Sequence, residues 1–311
     1  MAGRTRYALP LSPSLERKFA TLGAELDVHV LAAARSGAPA GADPRFTLVR
    51  PLPILDGPLF YLRFPFLVAR ELRRLRPDAV LVQGAQETAL ALLGRRLARV
   101  PAKVILDLHG DPAAPTRLYG STRRRALAPV ADRLARRAIR GADGVRTLSP
   151  FTTGVVRRLG VEPAAVFPAF MDLEAFLDRP AAPLPSRPAL LFVGVLERYK
   201  AVEVLADAWR RAAPRAPDAH LHLVGRGTMS AVPADLVAEF PGRVRWTEQL
   251  TSAEVASAMD DATTLLLASR SEGLPRIVVE AFCRGRAVIG SQTGGIPDIV
   301  VDGENGLLVP P

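Results

Sequence analysis

The 311-residue sequence contains a single cysteine, few lysines and no long apolar segment. One cysteine, Cys283, excludes an intramolecular disulfide framework and favours a reducing cytoplasm as the location. No apolar run reaches the roughly 18 residues of a membrane-spanning helix, and residues 1–12 lack the apolar core of a signal peptide. We therefore expect a globular cytoplasmic protein that neither spans a membrane nor is exported.

Positive charge comes almost entirely from arginine: the formal net charge is +10, and lysine occurs only at Lys18, Lys103 and Lys200. Clustered arginine raises the local concentration of polyanions, so nucleic acid and an anionic membrane are candidate partners. Coding bias combined with a solvated basic face is the other explanation. A nucleic-acid-binding role ranks last among the functions considered, because no groove-reading motif is present.

Short apolar segments alternate with longer segments of helical periodicity along the chain. This alternation is typical of βαβ units, which predicts α/β domains whose parallel sheets are covered by helices. The chain is long enough for two such domains. The predicted strands are Leu26–Leu31, Ala79–Gln83, Lys103–Leu108, Gly144–Leu148, Ala189–Val193, Ala219–Val224, Arg243–Trp246, Ala262–Leu267 and Ala287–Gly290.

A proline-rich segment, Asp178–Pro188, separates the predicted strands into two groups. Its prolines lack N–H donors and favour an extended path, which is typical of a linker. The sequence therefore predicts an N-terminal domain over residues 1–180 and a C-terminal domain over residues 181–311. Ligands of such sheets bind beyond the carboxyl ends of the strands, so two facing domains would place a site in the cleft between them.

Two glutamates, Glu272 and Glu280, follow the predicted strand that ends at Leu267. Eight residues on one helix rotate about 80° beyond two turns, so the pair would not share a helix face. A helix that begins near Pro275 places Glu272 in the loop and Glu280 in the second turn. The N–H groups around Gly273 then suit a diphosphate or sugar hydroxyls, and Glu280 suits a ribose diol. An N-capping loop with a surface glutamate is the alternative.

This spacing, E-x7-E in an E-G-x-P context, is one of several motifs that occur in order along the chain. The further matching segments are Leu106–Gly110, Phe167–Phe176, Leu221–Gly227, Cys283–Gly290, Gly294–Val300 and Asp302–Val309. Together they resemble the retaining glycosyltransferases of GT-B architecture often called family 4. The resemblance implies two Rossmann-like domains facing across a cleft, the first on the acceptor side and the second binding the nucleotide sugar.

The resemblance also implies roles for the residues at matching positions. Glu272, with Gly273 and Leu274, would contact the donor sugar, and Glu280 would bind the ribose. His109 would touch the transferred sugar. Taken without the family, His109 ends a buried strand and could equally be a structural histidine.

In this family an arginine and a lysine of a G-R-L-x-x-x-K segment bind the donor diphosphate. Lys200 matches the lysine, but Val195 stands where the arginine is expected, so Arg198 is the candidate replacement. A cation that neutralises the departing diphosphate is worth several kcal/mol, roughly, so one is expected here. A solvated loop arginine is the alternative for Arg198. Gly225 and Gly227 match the G-x-G that follows a strand of the nucleotide-binding domain.

The implied reaction is transfer of a hexose, with retention, from a nucleoside diphosphate sugar to a hydroxyl acceptor on a glycan or a lipid. Neither an Asp-x-Asp motif nor a Cys/His cluster with metal-ligand spacing occurs, so we expect no metal and no other cofactor. The alternatives are a nucleotide-sugar epimerase of the same architecture and an inactive, truncated glycosyltransferase. Truncation is considered because an apolar first strand should precede the loop expected near Gly3, and helical material should follow Val309.

Two other segments have an unusual composition. The basic segment Arg117–Arg140, which includes Arg123–Arg125, could rest on an anionic bilayer at the inner face of the membrane, where a lipid-linked acceptor would be found. A solvated helix face is the alternative. The aromatic segment Leu59–Leu67 could line an acceptor groove or pack in a core.

Overall fold

A computed structural model describes residues 1–37, 41–52, 56–114 and 128–311. The chain divides into two compact units. The first unit takes nearly all of residues 1–170, and the second takes residues 171–311 together with the short segment 149–151.

The first unit is built on a sheet that has seven parallel strands among the described residues, in the order β3-β2-β1-β4-β5-β6-β7. The strands are β1 (Ala2–Tyr7), β2 (Val30–Ala34), β3 (Phe46–Val49), β4 (Ala79–Gln83), β5 (Lys103–Leu108), β6 (Gly144–Thr147) and β7 (Ala165–Val166). The helices are α1 (Pro13–Gly23), α2 (Asp56–Leu75), α3 (Ala85–Ala98), α4 (Ala128–Gly141) and α5 (Pro150–Arg157).

Helix α3 packs on the first sheet and lies between α2 and α4. Its contact with α2 is close because Gly94 has no side chain: a Cβ atom there would lie 2.9 Å from the Cβ atom of Val68. Phe64 and Val68 of α2 and Ala91 of α3 are buried against Val82 and Val104 of the sheet. One face of the first unit is thus a layer of three helices.

The second unit contains a six-stranded parallel sheet with the order β10-β9-β8-β11-β12-β13. Its strands are β8 (Ala189–Val193), β9 (His220–Val224), β10 (Val244–Thr247), β11 (Thr264–Leu267), β12 (Ala287–Ser291) and β13 (Gly306–Val309). Its helices are α6 (Glu174–Leu177), α7 (Val202–Ala212), α8 (Ala231–Glu239), α9 (Ser252–Asp260) and α10 (Arg276–Cys283), with 3₁₀ turns at Arg198–Lys200 and Ala213–Arg215.

The strand order of the second sheet reverses between β8 and β11. The chain runs from β8 outward through β9 and β10, then returns to pair β11 with the opposite side of β8. Loops that leave the carboxyl ends of β8 and β11 therefore diverge and leave a crevice, which is where open α/β sheets bind ligands.

The segment Asp178–Pro188 contains no helix or strand, as a linker should, but it is fixed to the second unit. Arg284 is fully buried and donates to two carbonyl groups of the segment at 2.7 and 2.9 Å, and it pairs with Asp260 at 2.7 Å. Arg286 donates to a third carbonyl group at 2.7 Å. Buried guanidinium groups that satisfy backbone carbonyls hold this segment in one path.

The structure confirms the α/β class, and β4, β5 and β8 occupy the predicted residues. The prediction of a strand at Leu26–Leu31 is wrong by four residues, since the N–H of Leu26 still bonds to a carbonyl group of α1 and β2 begins at Val30. The loop expected near Gly3 is also wrong: β1 occupies Ala2–Tyr7. This strand lacks the apolar pattern by which the other strands are predicted. Its two arginines, Arg4 and Arg6, pair with Asp56 instead of lying against an apolar helix.

The sequence makes two predictions about membranes, and the second of them falls partly outside the described residues. Within the ranges that the structure describes, no helix is both long and apolar enough to cross a bilayer. The basic segment Arg117–Arg140 lies outside the described residues up to position 127, and its remainder is α4.

The aromatic segment Leu59–Leu67 belongs to α2, where Phe60 and Phe64 are buried in the core and Leu62 and Phe66 are exposed.

Candidate functional site

An ion pair lies at the carboxyl edge of the second sheet, beside the point where its strand order reverses. Lys200 follows β8, Glu272 follows β11, and the Nζ atom of Lys200 lies 2.5 Å from Oε1 of Glu272. Both side chains are largely buried, with exposed fractions of 11% and 12%. The structure therefore brings together two of the residues that the sequence singles out.

Further contacts orient the glutamate. Ser269 donates its hydroxyl to Oε1 of Glu272 at 2.7 Å, so this oxygen accepts two hydrogen bonds. The other carboxylate oxygen, Oε2, makes no hydrogen bond within the described part of the chain. An ammonium group has three donors, and the contact with Glu272 uses one of them. The pair thus retains an acceptor and donors for a ligand.

Glycines allow the loops around this pair to approach closely. A Cβ atom at Gly294 would lie 2.1 Å from the carbonyl oxygen of Glu272, and φ at Gly294 is +57°. The N–H of Gly295 donates to that same carbonyl oxygen at 3.1 Å. On the other side of the crevice, φ at Gly225 is +145°, and a Cβ atom there would lie 1.8 Å from the carbonyl oxygen of Gly194. Only glycine fits either position, so backbone packing fixes both loops.

Arg270 connects the loop of Glu272 to the 3₁₀ turn that carries Lys200. Its N–H donates to the carbonyl group of Tyr199 at 2.6 Å, and its guanidinium donates to that of Arg198 at 2.7 Å. The guanidinium also lies 2.7 Å from Oε1 of Glu203 on α7. Because these contacts join the two loops, Arg270 positions the pair without touching it.

Helix α10 begins where the sequence predicts, with Pro275 preceding its first residue, and Glu280 lies in its second turn. No side chain caps this helix, and the N–H groups of Gly273 and Leu274 form no hydrogen bond within the described residues. Unpaired N–H groups at a helix start suit an anion. Glu280 is mostly buried, and its nearest cation is Arg276 at 3.7 Å.

Burial raises the pKa of Glu280, and the charge of Arg276 lowers it by less. A buried carboxylate without a close hydrogen-bond donor is costly, so a ligand that supplies hydroxyl donors would stabilise it. Glu280 forms no ion pair or hydrogen bond with Lys200 or Glu272 among the described residues.

Two further residues that the sequence singles out, Arg198 and Gly227, lie in the loops that follow β8 and β9. Arg198 is exposed, and it contacts Arg270 through its backbone carbonyl group, not through its guanidinium. Val195, which replaces the expected arginine, is also exposed. Gly227 packs so closely on Leu196 that a Cβ atom would lie 2.4 Å from the Leu196 carbonyl oxygen. The glycine loop is therefore held against the segment that leads to Lys200.

A second ionic cluster lies at the carboxyl edge of the first sheet. Asp107 on β5 is buried; its Oδ2 lies 2.8 Å from Nε2 of His109, and its Oδ1 lies 2.5 Å from Nη1 of Arg146 on β6. Arg146 also donates to the carbonyl group of Phe167 at 2.9 Å, and its guanidinium lies 4.0 Å from the centre of that ring. His109 is 42% exposed, so the buried carboxylate holds a histidine that faces solvent.

Burial acts to raise the pKa of Asp107, but the hydrogen bond from His109 and the charge of Arg146 outweigh it and hold the pKa below its ordinary value. An ionised carboxylate only accepts hydrogen bonds, so Nε2 of His109 carries the proton in this contact. The other ring nitrogen, Nδ1, is then directed away from the carboxylate.

Sequence reasoning missed several residues of both clusters. Asp107 could have been found, because a D-x-H pattern at a strand end puts its side chain on the same face of the sheet as that of His109. Arg146 lies opposite Asp107 on the neighbouring strand, and the D-x-H pattern does not indicate it. Ser269 and Arg270 offered no signal beyond their place in a matching motif. Among the described residues, no three side chains of the types that bind metals come together.

Family comparisons agree with this arrangement in both units. Residues 12–169 match the family described as "Glycosyl transferase 4-like domain", and residues 187–311 match "Glycosyl transferases group 1". The first match alone covers half of the chain. The chain belongs to the glycosyltransferases.

Individual glycosyltransferases match at modest identity. One is an uncharacterised glycosyltransferase of Methanocaldococcus jannaschii, 33% identical over 38% of this chain and 32% of that protein. Another is the GDP-mannose-dependent alpha-(1-6)-phosphatidylinositol monomannoside mannosyltransferase of Mycolicibacterium smegmatis, 28% identical over 78% of this chain and 66% of that protein. The chain thus spans one third to two thirds of the length of these two relatives.

Solved structures of other proteins share the fold. Sucrose-phosphate synthase of Thermosynechococcus elongatus aligns over all of this chain and 86% of its own, with a TM-score of 0.76 and 18% identity. HepE of Anabaena, solved in complex with UDP and glucose, aligns over all of this chain and 85% of its own, with a TM-score of 0.68 and 18% identity. This glycosyltransferase therefore has two parallel-sheet α/β units of the GT-B type.

Proposed function

We propose that the protein transfers a hexose from a nucleoside diphosphate sugar to a hydroxyl acceptor, on a glycan or a lipid, with retention of the anomeric configuration. The observation that carries this proposal is the Lys200–Glu272 pair, which lies at the strand-order reversal of the second sheet. A cation and a carboxylate with a free oxygen there match what a sugar diphosphate presents, which is anionic oxygens next to hydroxyl groups.

In this proposal Lys200, assisted by Arg198, stabilises the charge that develops on the leaving diphosphate. Oε2 of Glu272 accepts a hydrogen bond from a sugar hydroxyl, while Lys200 keeps this carboxylate from repelling the diphosphate. The two hydroxyl groups of the ribose donate hydrogen bonds to Glu280, which supplies the donors that its buried carboxylate lacks. His109 is assigned to the transferred sugar by resemblance, with Asp107 setting its tautomer.

The glycine loops complete the proposed nucleotide site. Gly225 and Gly227 let backbone approach the nucleotide, and the N–H groups of Gly273 and Leu274 bind anionic or hydroxyl oxygens. Side-chain cations neutralise the diphosphate in this scheme, so it requires no divalent ion. Transfer activity should therefore survive a chelating agent.

A ligand screen tests the proposed donor. Thermal shifts would be measured with UDP-, GDP- and ADP-sugars, since the named relatives include a GDP-mannose-dependent enzyme and a protein solved with UDP. At least one donor should raise the melting temperature, and Lys200→Ala and Glu280→Ala should each weaken that shift. Lys103→Ala, an exposed lysine of the first unit, is the matched control and should leave the shift unchanged.

Product analysis with the best donor then tests the reaction. An α-linked donor should give an α-linked product when an acceptor is added, as read by NMR of the new glycosidic linkage. A changed sugar formed from donor alone would favour an epimerase instead. No shift with any donor, or unchanged kinetics in both variants, would reject the assignment of Lys200 and Glu280.

A further inference from the structure

The outer surface of the first unit's helix layer exposes large apolar side chains. We call this surface the three-helix face; its apolar members are Leu62, Phe66, Leu93, Leu97, Val130 and Leu134. Three of them, Leu62, Phe66 and Val130, each expose about two thirds of their surface, at 68%, 67% and 67%. On each helix the two exposed side chains are four residues apart and so lie side by side, and apolar side chains that are exposed together mark a site of interaction.

The same three helices carry ten arginines and only four carboxylates, so most of the excess positive charge of the chain belongs to this layer. Three of the carboxylates, Asp56, Glu71 and Glu87, are already hydrogen-bonded within the first unit. Glu71 is also buried. The face therefore presents apolar side chains and positive charge, with little negative charge to compensate.

Four exposed arginines lie next to the apolar side chains: Arg63, Arg96, Arg133 and Arg137. None of these has a carboxylate within 4 Å among the described residues. On α4, Arg133 lies three residues after Val130 and Arg137 lies three residues after Leu134, so each of these apolar side chains has an arginine beside it on the helix surface. Helix-end charge does not explain Arg63 or Arg133, since neither lies in the last turn of its helix.

We infer that the three-helix face docks on an anionic phospholipid bilayer. The apolar side chains would enter the boundary between headgroups and acyl chains, and the arginines would bind lipid phosphates. A second copy of the same face is a poor occupant, because two such surfaces would repel each other. The inference goes beyond the transfer reaction and does not depend on it, because binding to lipid needs no donor sugar.

Vesicle cosedimentation with the full chain tests the inference directly. Vesicles of phosphatidylcholine with about 30% phosphatidylglycerol would be compared with vesicles of phosphatidylcholine alone. The protein should sediment with the first and not with the second. Raising NaCl to about 0.5 M should release it, because screening shortens the Debye length to about 4 Å.

Two variants separate the apolar and ionic contributions. Arg133→Gln/Arg137→Gln should weaken partitioning by about 30-fold, since each arginine near an anionic surface contributes a factor of about five. Leu62→Gln/Phe66→Gln should weaken it by roughly tenfold or more, because both side chains would lose burial in the bilayer. The matched controls lie in the second unit and should bind like the wild type: Arg211→Gln/Arg215→Gln and Leu177→Gln/Leu184→Gln.

Several results would overturn the inference. Equal binding to neutral and anionic vesicles would show that lipid charge does not contribute to binding. Binding at the wild-type level by both face variants would show that the three-helix face is not the surface that binds. A concentration-dependent dimer that Leu62→Gln/Phe66→Gln abolishes, without vesicle binding, would assign the face to a second copy. Circular dichroism of each variant shows whether it is folded, so a loss of binding by misfolding is recognised.

Discussion

The carboxyl edges of the two sheets both carry a buried ion pair, but they fix it by different means. In the first unit a side chain fixes the cluster, because Asp107 accepts hydrogen bonds from both His109 and Arg146. In the second unit the backbone does so: glycines at positions 225 and 294 allow loops to pack so closely that Lys200 and Glu272 meet. A site fixed by side chains should fail when a charge is removed, whereas a site fixed by backbone should fail when a methyl group is added.

The largest expected effect is the loss of the Asp107 charge. Asp107→Asn leaves Arg146 buried without its carboxylate, and breaking a buried ion pair costs about 3–5 kcal/mol of unfolding free energy. Urea unfolding of the first unit measures this. Glu162→Gln is the control, because it removes an exposed ion pair with Arg157 that solvent screens and that contributes little to stability. Equal losses in both variants would show that the cluster does not stabilise the first unit.

The second unit should respond most to added volume. Gly294→Ala places a Cβ atom 2.1 Å from the carbonyl oxygen of Glu272, so the loop must shift, with an expected loss of about 3 kcal/mol and of the donor-induced thermal shift. Gly303→Ala is a close control: its φ is also positive, at +78°, but nothing lies within 4 Å of the new atom. It should cost about 1 kcal/mol and keep the shift. Similar behaviour of the two variants would show that steric contact at Gly294 does not hold Glu272.

This contrast also explains which parts of the molecule could be predicted from sequence. Strands that are mostly apolar along their length, such as β4, β5 and β8, have a pattern that identifies them. Strand β1 has no such pattern, because Arg4 and Arg6 face Asp56. A pattern of single residues does not record a partner that lies fifty residues away.

The candidate sites show the same limit. The position of Pro275 predicts the start of α10, whereas Glu272 and Lys200 are singled out by the resemblance to the glycosyltransferase family. The contact of Arg270 with the turn at Arg198 depends on how two loops lie across a crevice, and sequence does not encode it in any local pattern. The proline-rich segment was likewise predicted as a linker from composition, whereas Arg284 holds it by contacts between distant residues.

A smaller effect is expected when Glu280 loses its charge, and it should have opposite signs for the unfolding free energy and for the affinity for the donor. Burial raises its pKa, so near pH 7 the folded protein carries a charge that costs stability. Glu280→Gln should therefore raise the unfolding free energy of the free protein while weakening donor binding by about 10- to 100-fold, as expected for losing hydrogen bonds to a charged acceptor. Thermal unfolding and donor titration measure the two effects. If both fall together, Glu280 stabilises the second unit instead of serving a ligand.

The smallest effect concerns His222, which lies beside a cation, whereas His109 lies beside a carboxylate. His222 on β9 lies beside Arg245, and burial, together with that charge, lowers its pKa to about 4. Below pH 6.5 the unfolded chain therefore binds more protons than the folded protein, so stability should fall between pH 6.5 and 4. His222→Gln removes this titrating group, so its unfolding free energy relative to that of the wild type should rise by about 1–2 kcal/mol as the pH falls through that range, with solvent screening limiting the effect. Urea unfolding of both proteins at pH 7 and pH 4 measures the change, and a difference that does not vary with pH would contradict it.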